Sequence, residues 1–332
     1  MKFKTIPTGQ PVRMVFLGCG NVTARHSRLL RKKRDVRLYY ASRSPEKAKQ
    51  YAARFKGAGY FGDYESALQS REVDVVFVAT PPDSHLNLTL QAVRSGKHVI
   101  VEKPPFFKSN DFDLVAGEMA RHGVQVLVAE NYFYKPLRRK LSEILRSGVI
   151  GEIRFLYFNA AKTQKTADWR DDMALAGGGA LFEGGIHWVN FITNLGLSVE
   201  SVAGYRPGSA NVKSPERSMQ VVMKFADGPV GTLLYSWEIS ALINGLRLSR
   251  IYGTAGSITF ESNGIFIFVR GKKWRFILPG FSDIGGFNAM FEDFFRALRH
   301  GEPPTFHLDL AKRDVEIIEM VYGSCAQVLN EG

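Results

Sequence analysis

The feature that most constrains this chain is a glycine turn set between two segments of different period: Val12–Leu17, then Gly18-Cys19-Gly20, then Asn21–Leu30. A short, mostly apolar run bounded by a turn suits a buried strand, and the segment after it reads as a helix. The alternation continues through the first third of the chain. Val36–Ala41, Asp74–Ala79, His98–Val101 and Gln125–Ala129 read as strands, while Pro45 to Phe55, Ser84–Ser95 and Asn110–Arg121 read as helices. Pro45 suits a first helical turn, where its missing N–H is not needed. Strands alternating with helices imply a parallel sheet covered on both faces, a doubly wound nucleotide-binding arrangement.

The pattern changes between about Val124 and Tyr134. Pro136–Ser147 and Gly179–Asn194 look helical, and Gly151–Ala161 looks like a long strand. Strand patterns then follow closely: Glu200–Arg206, Met219–Phe225, Val230–Ser236, Leu246–Tyr252, Ser257–Phe260, Ile265–Val269 and Trp274–Ile277. Turn signals at Asp227-Gly228, Thr254-Ala255-Gly256 and Asn263-Gly264 separate several of them, so antiparallel neighbours are expected. Helical patterns over Gly286–His300 and Leu308–Leu329 end the chain. The expectation is a dinucleotide-binding α/β Rossmann domain over residues 1–126 and a substrate-binding and oligomerisation α+β domain over residues 127–332.

Composition narrows the class. At 332 residues, 45% hydrophobic and 23% charged, the chain has enough apolar content for two cores and too much for disorder. Its net charge of +12 suits anionic ligands such as phosphorylated cofactors. No nucleic-acid motif accompanies that charge, and short clusters such as Arg31-Lys32-Lys33-Arg34 read as solvated surface. Two cysteines, Cys19 and Cys325, give neither a disulfide framework nor zinc spacing. Met1 to Arg13 lacks the apolar core of a signal peptide, and no apolar run approaches the roughly 18 residues of a membrane span. A cytoplasmic protein, without membrane or nucleic-acid partners, is expected.

The glycine turn is the first chemical signal. Gly18 permits the tight turn, Gly20 lets backbone approach a pyrophosphate, and the N–H groups at Asn21 and Val22 begin the positive end of a helix dipole. The third position of the fingerprint is Thr23 instead of glycine or alanine, which is expected to loosen helix–strand packing slightly. At the end of the second strand stand Ser42 and Arg43, with Lys47 further on, where an acid would mark NAD. A guanidinium hydrogen-bonds a 2′-phosphate that a carboxylate would repel, so NADP is expected over NAD.

Two further places carry acid–base chemistry. Glu102-Lys103-Pro104 follows a strand of the parallel sheet, and ligands of such sheets sit beyond the carboxyl ends of their strands. An ammonium there can hydrogen-bond a reacting oxygen and share its proton. Glu183 and His187 stand four apart, with Asn190 three further on, so one helix would carry all three on a stripe. The imidazole can exchange a proton with an alcohol as hydride leaves, and Glu183 could orient it or raise its basicity. No further ligand cluster supports a metal.

These pieces together resemble the glucose–fructose oxidoreductase / inositol dehydrogenase family. The matching stretches are Gly18-Cys19-Gly20; Ala79-Thr80-Pro81-Pro82-Asp83-Ser84-His85; Gly96-Lys97-His98-Val99 leading to Glu102-Lys103-Pro104; Trp169-Arg170; and Gly177-Gly178-Gly179-Ala180 leading to His187. The resemblance implies a second domain with a large, mostly antiparallel open sheet, and assembly as a homodimer or homotetramer through it. It implies that Lys103 meets the reacting oxygen and that His187 donates or accepts the proton. Thr80, Pro81, His85 and Glu102 would lie at the dinucleotide, and Trp169 and Arg170 would approach cofactor or substrate from the second domain. Asn131, Tyr132, Glu183 and Asn190 would join Lys103 and His187 at the substrate. The chain departs from the family at Glu183 and Asn190, where aspartate is usual, and lacks an arginine often found before Pro136. The aromatics of Glu130-Asn131-Tyr132-Phe133-Tyr134 suit either a pocket wall or a core.

The expected activity is hydride transfer between a nicotinamide and a CH–OH or C=O group of a sugar, polyol or related cyclic alcohol. Two alternatives remain open at the level of sequence. A glycoside hydrolase that oxidises its sugar transiently would release sugar without net change in nicotinamide absorbance. A dinucleotide-binding sensor would have no need of Lys103 with His187.

Overall fold

The strands of the first third are mostly apolar because both of their faces are covered. In β1 (Val12–Leu17) and β2 (Val36–Ala41) most residues are buried, and in β4 (Val75–Val78) and β5 (His98–Val101) all are. With β3 (Gly59–Phe61) and β6 (Val126–Val128) they form a six-stranded parallel sheet in the order β3-β2-β1-β4-β5-β6. The order reverses between β1 and β4, which is where doubly wound sheets open a ligand crevice. The helices are α1 (Asn21–Leu30), α2 (Pro45–Phe55), α3 (Tyr64–Gln69), α4 (His85–Arg94) and α5 (Ser109–His122). Pro45 does occupy the first turn of α2, whose cap is the Ser44 hydroxyl accepting from Lys47 N–H.

This computed structural model describes residues 2–208, 214–240 and 246–330, without the side chains of 326–330. By its contacts the chain groups into two compact units, Met1–Ala129 with Met290–Lys312, and Glu130–Ala289 with Arg313–Gly332.

The second unit opens with α6 (Pro136–Arg146) and β7 (Ile153–Ala161), then α7 (Met173–Ala176) and α8 (Ile186–Thr193). Its strands continue as β8 (Val199–Tyr205), β9 (Ser218–Phe225), β10 (Val230–Ser236), β11 (Leu248–Gly253), β12 (Gly256–Glu261), β13 (Ile267–Arg270) and β14 (Trp274–Ile277). The helices α9 (Phe287–His300) and α10 (Leu308–Asn330) follow. All eight strands lie in one sheet, ordered β14-β13-β12-β11-β7-β10-β9-β8. The expectation of antiparallel neighbours fails at one place: β7 and β10 run parallel, with Leu156 beside Gly231 and Phe158 beside Leu233. Side-chain alternation fixes which face a residue takes, but both strand directions satisfy it.

Alternation also divides this sheet into a covered and an open face. Leu156, Phe158, Val221, Met223, Leu233, Ile251, Ile258 and Phe260 are buried. Phe191 of α8 meets Phe158 and Phe260, and Gly204 of β8 comes so close to Val321 of α10 that a Cβ there would lie 2.5 Å from it. The residues between them on β7, Phe155 and Tyr157, stay exposed.

Two short elements, β3 and α3, fall in a stretch the sequence leaves unassigned, since three residues are too few to show a period. The single helix expected over Gly179–Asn194 is a π-helical turn, Leu181–Gly185, running into α8. Among the described residues no helix is long and apolar enough to cross a membrane.

Candidate active site

In the first unit the glycine turn has the shape a pyrophosphate needs. Gly18 sits at φ +99°, and a Cβ there would meet the Ala79 carbonyl oxygen at 2.6 Å. Gly20 is the opposite case: a Cβ there would meet nothing within 4 Å, so open space lies at the N-terminus of α1. That terminus has no side-chain cap and no acid in its first turn, leaving its N–H groups and positive dipole end unspent on the protein. The residues present therefore fit a dinucleotide phosphate. Thr23 does not loosen the packing as expected. It is fully buried, and its hydroxyl donates to the Gly18 carbonyl at 2.7 Å, tying helix to turn.

Ser42 is buried at the end of β2 and accepts from Ser44 N–H, while Arg43 and Lys47 are exposed. The Arg43 charge reaches the Tyr64 phenol, whose pKa burial raises and Arg43 partly lowers. A basic rim thus stands beyond β2.

The turns after β4 and β5 are joined by one histidine. His85 is fully buried, with Nδ1 2.9 Å from Pro104 O and Nε2 2.9 Å from Thr80 O. Burial lowers its pKa. It therefore bridges the Thr80-Pro81 turn and the Pro104 carbonyl, one residue past the cis Lys103–Pro104 bond. Thr80 Oγ1 lies 2.6 Å from Ser84 Oγ, which donates to Pro81 O.

Glu102 also turns inward. His26 Nε2 of α1 donates to its Oε1 at 2.7 Å, and Lys103 N–H donates to its Oε2 at 3.2 Å. Burial pushes this carboxyl up, but the hydrogen bond and charge of His26, with the charge of Lys103, outweigh it and leave the pKa below the usual range. Glu102 is thus a brace between α1 and the backbone of Lys103. Lys103 itself is half-buried.

In the second unit the centre is His187. The acid that orients it is Glu130, not Glu183: Nδ1 lies 2.7 Å from Glu130 Oε1 and 2.8 Å from Oε2. A carboxylate accepts, so Nδ1 carries a proton and Nε2 is the ring nitrogen left outside the pair. Glu130 is almost fully buried and also accepts from Tyr132 N–H, which starts a short 3₁₀ turn, Asn131–Tyr134. The Tyr132 ring stacks on the imidazole at 4.5 Å and 13°. The Lys135 ammonium lies 4.3 Å from the centroid of that same ring.

Glu183 takes a different partner because the π-helical turn breaks the four-residue register that would align it with His187. Arg170 Nε donates to it at 3.1 Å, and the Arg170 guanidinium also covers the Trp169 ring at 4.5 Å. Gly184 lets this turn approach the sheet: a Cβ there would lie 2.1 Å from the Tyr235 hydroxyl. Asn190, expected at the substrate, is fully buried, and its amide donates to Asp314 at 2.6 Å. Three residues turn a helix by about 300°, and the remaining 60° carries Asn190 into the core. Asn131 is likewise engaged, donating to Gly285 O at 2.6 Å.

Glu130 and Lys135 have no role in the sequence reading. The available signal was a carboxylate directly after the apolar strand Val126–Val128, since a buried acid must find a donor.

Comparison with known proteins agrees with the fold. Residues 12–130 match the model of an oxidoreductase family with an NAD-binding Rossmann fold, and residues 138–259 match the GFO/IDH/MocA C-terminal domain. A dTDP-3,4-didehydro-2,6-dideoxy-alpha-D-glucose 3-reductase of Saccharopolyspora spinosa is 31% identical over 235 residues, 69% of this chain and 69% of that protein. Two solved structures share the fold at TM-score 0.83. One is a levoglucosan dehydrogenase in complex with NADH and levoglucosan, 21% identical over 96% of this chain and 98% of that chain. The other is a 3-ketoreductase from Actinomadura kijaniata in complex with NADP and TDP-benzene, 20% identical over 95% and 98%. With a dinucleotide cradle in one unit and matching models over both, the chain belongs to the GFO/IDH/MocA family and is an NAD(P)-dependent oxidoreductase.

Proposed function

We propose that the protein transfers hydride between NADP and a CH–OH or C=O carbon of a sugar, polyol or related cyclic alcohol, with Lys103 and His187 as its proton-transfer groups. The observation that carries this reading is the His187–Glu130 pair. A histidine whose Nδ1–H is spent on a carboxylate keeps Nε2 as a base of fixed tautomer and orientation. A bound nicotinamide supplies the hydride donor or acceptor. Nε2 takes the proton of the alcohol during oxidation and returns it during reduction, while the Lys103 ammonium hydrogen-bonds the reacting oxygen and relays the proton. The glycine turn holds the pyrophosphate, and Trp169 and Arg170 stand as candidate contacts to cofactor or substrate. A sugar screen with NADPH tests the activity, and a Lys103→Met variant should lose about 10²–10⁴ in turnover with NADPH binding retained.

Arg43 supports the choice of NADP. In fluorescence titrations Arg43→Ala should weaken NADPH about tenfold, a loss of about 1.4 kcal/mol, and leave NADH unchanged. Equal effects on both would remove Arg43 from the 2′-phosphate.

The open face of the eight-stranded sheet supports a homodimer or homotetramer. Tyr252 stands opposite Phe155, and Phe276 opposite Phe268. Phe155, Trp274 and Phe276 are 61%, 65% and 64% exposed, more aromatic surface than a lone sheet leaves in water without a partner. Light scattering at micromolar concentration should give a multiple of the chain mass, and Phe155→Glu should lower it.

A further inference from the structure

The neighbourhood of His187 holds a cation that the proton-transfer reading does not use. Lys135 is only 5% exposed, yet its ammonium lies over the ring of Tyr132, and the same ring stacks on the His187 imidazole. Steps of 4.3 and 4.5 Å through the Tyr132 centroid keep ammonium and imidazole within about 9 Å of one another in a water-poor setting. Burying a lysine needs a reason, since desolvation penalises its charge. Here the π-face of Tyr132 supplies part of the compensation.

We propose that Lys135 is a positioning and tuning residue for His187: its charge, held on Tyr132, fixes the stacked ring and opposes the pull of the Glu130 carboxylate on the imidazole. This rests on the reading of His187 as the proton-transfer group. The charge balance around the pair follows from its neighbours. Glu130 favours the imidazolium, because a carboxylate at Nδ1 stabilises the charged ring. The nearby ammonium opposes it. The charged groups that face Lys135 are Glu261 and Glu130, which support its charge, and Arg247, which opposes it. Glu261 is spent on the backbone and side-chain amides of Asn263 and on Gly264 and Ile265, and Arg247 on Ala160 O and Asn263. Burial brings the Lys135 pKa down to about 8, so the ammonium persists at neutral pH and is lost just above it.

The test is a direct titration of His187 by ¹⁵N–¹H NMR of the imidazole in the full-length protein, which does not depend on turnover. In Lys135→Met the His187 pKa should rise by about half to one unit, and the acid limb of kcat/KM should move up with it. Lys135→Arg, which keeps the charge, should stay within about 0.2 unit of the parent. Lys135→Gln carries the same expectation as the methionine variant should that one not fold. An unchanged His187 titration in a folded, charge-free variant overturns the tuning role. A His187→Asn variant with full turnover would instead overturn the proton-transfer reading, and the NMR result would still stand on its own.

Discussion

Each compact unit contains a histidine 2.7 Å from a glutamate, and the two pairs are built for different ends. His26 meets Glu102 through Nε2 and lies between Phe77 and Phe291, at 5.0 and 5.4 Å between ring centroids. Its side chain is 2% exposed. His187 meets Glu130 through Nδ1, stacks one face on Tyr132, and is 17% exposed. The first pair braces α1 against the backbone of Lys103. The second leaves Nε2 of a partly exposed ring outside the pair. A carboxylate–histidine contact therefore does not by itself identify a proton-transfer group; the two pairs differ in the nitrogen used and in exposure.

The comparison makes opposite claims about removing each ring. His187→Asn should cost about 10²–10⁴ in turnover, with thermal stability and the NADPH dissociation constant close to those of the parent. Steady-state rates beside fluorescence titration separate the two. His26→Leu should do the reverse, because it leaves the Glu102 carboxylate buried without its main partner. Unfolding in urea should show a loss of about 3–5 kcal/mol, while molecules that remain folded keep turnover within about tenfold. Adding Glu102→Met to that variant should recover most of the stability, since an apolar pair of similar volume avoids the buried charge. If the double variant is no more stable than His26→Leu, the Lys103 N–H contact matters more than the ion pair.

The same contrast shows what the sequence could carry. The first sheet was legible because strands buried on both faces must be uniformly apolar, as Val75–Val78 is. β3 was not, because Gly59–Phe61 is too short for a pattern. In the second sheet the faces were legible and the parallel pairing of β7 with β10 was not, since direction leaves no trace in alternation. Local motifs exposed Gly18, Lys103 and His187 as candidates. The partner of His187 escaped because it lies 57 residues away, while local spacing pointed to Glu183, which the π-helical turn delivers to Arg170. Helical spacing likewise made Asn190 look like a neighbour of His187, when its side chain belongs to the core.

Asp314 sharpens the rule about what makes a buried carboxylate easy to ionise. It is buried, as Glu102 is, but its donors are the Asn190 amide, the Thr193 hydroxyl and Arg313, with no histidine. Burial raises its pKa to about 6, with a further push from the Glu130 charge, and Arg313 and Asn190 only partly offset this. Glu102 moves the other way because His26 both donates to it and can carry charge. The signs give a test. A carboxyl whose folded pKa lies above its unfolded value of about 3.9 contributes stability that is fully present below pH 4 and is lost as pH rises through about 6. The parent should therefore lose stability relative to Asp314→Asn between about pH 4 and 7, by no more than about 3 kcal/mol. Urea midpoints measured at unit steps of pH would show it. Repeating the series in Glu130→Gln should narrow the window, because the nearby negative charge that helps hold Asp314 protonated is gone. A difference between parent and Asp314→Asn that grows in the parent's favour as pH rises would mean that Arg313 dominates, and that a guanidinium can do for a buried acid what His26 does for Glu102.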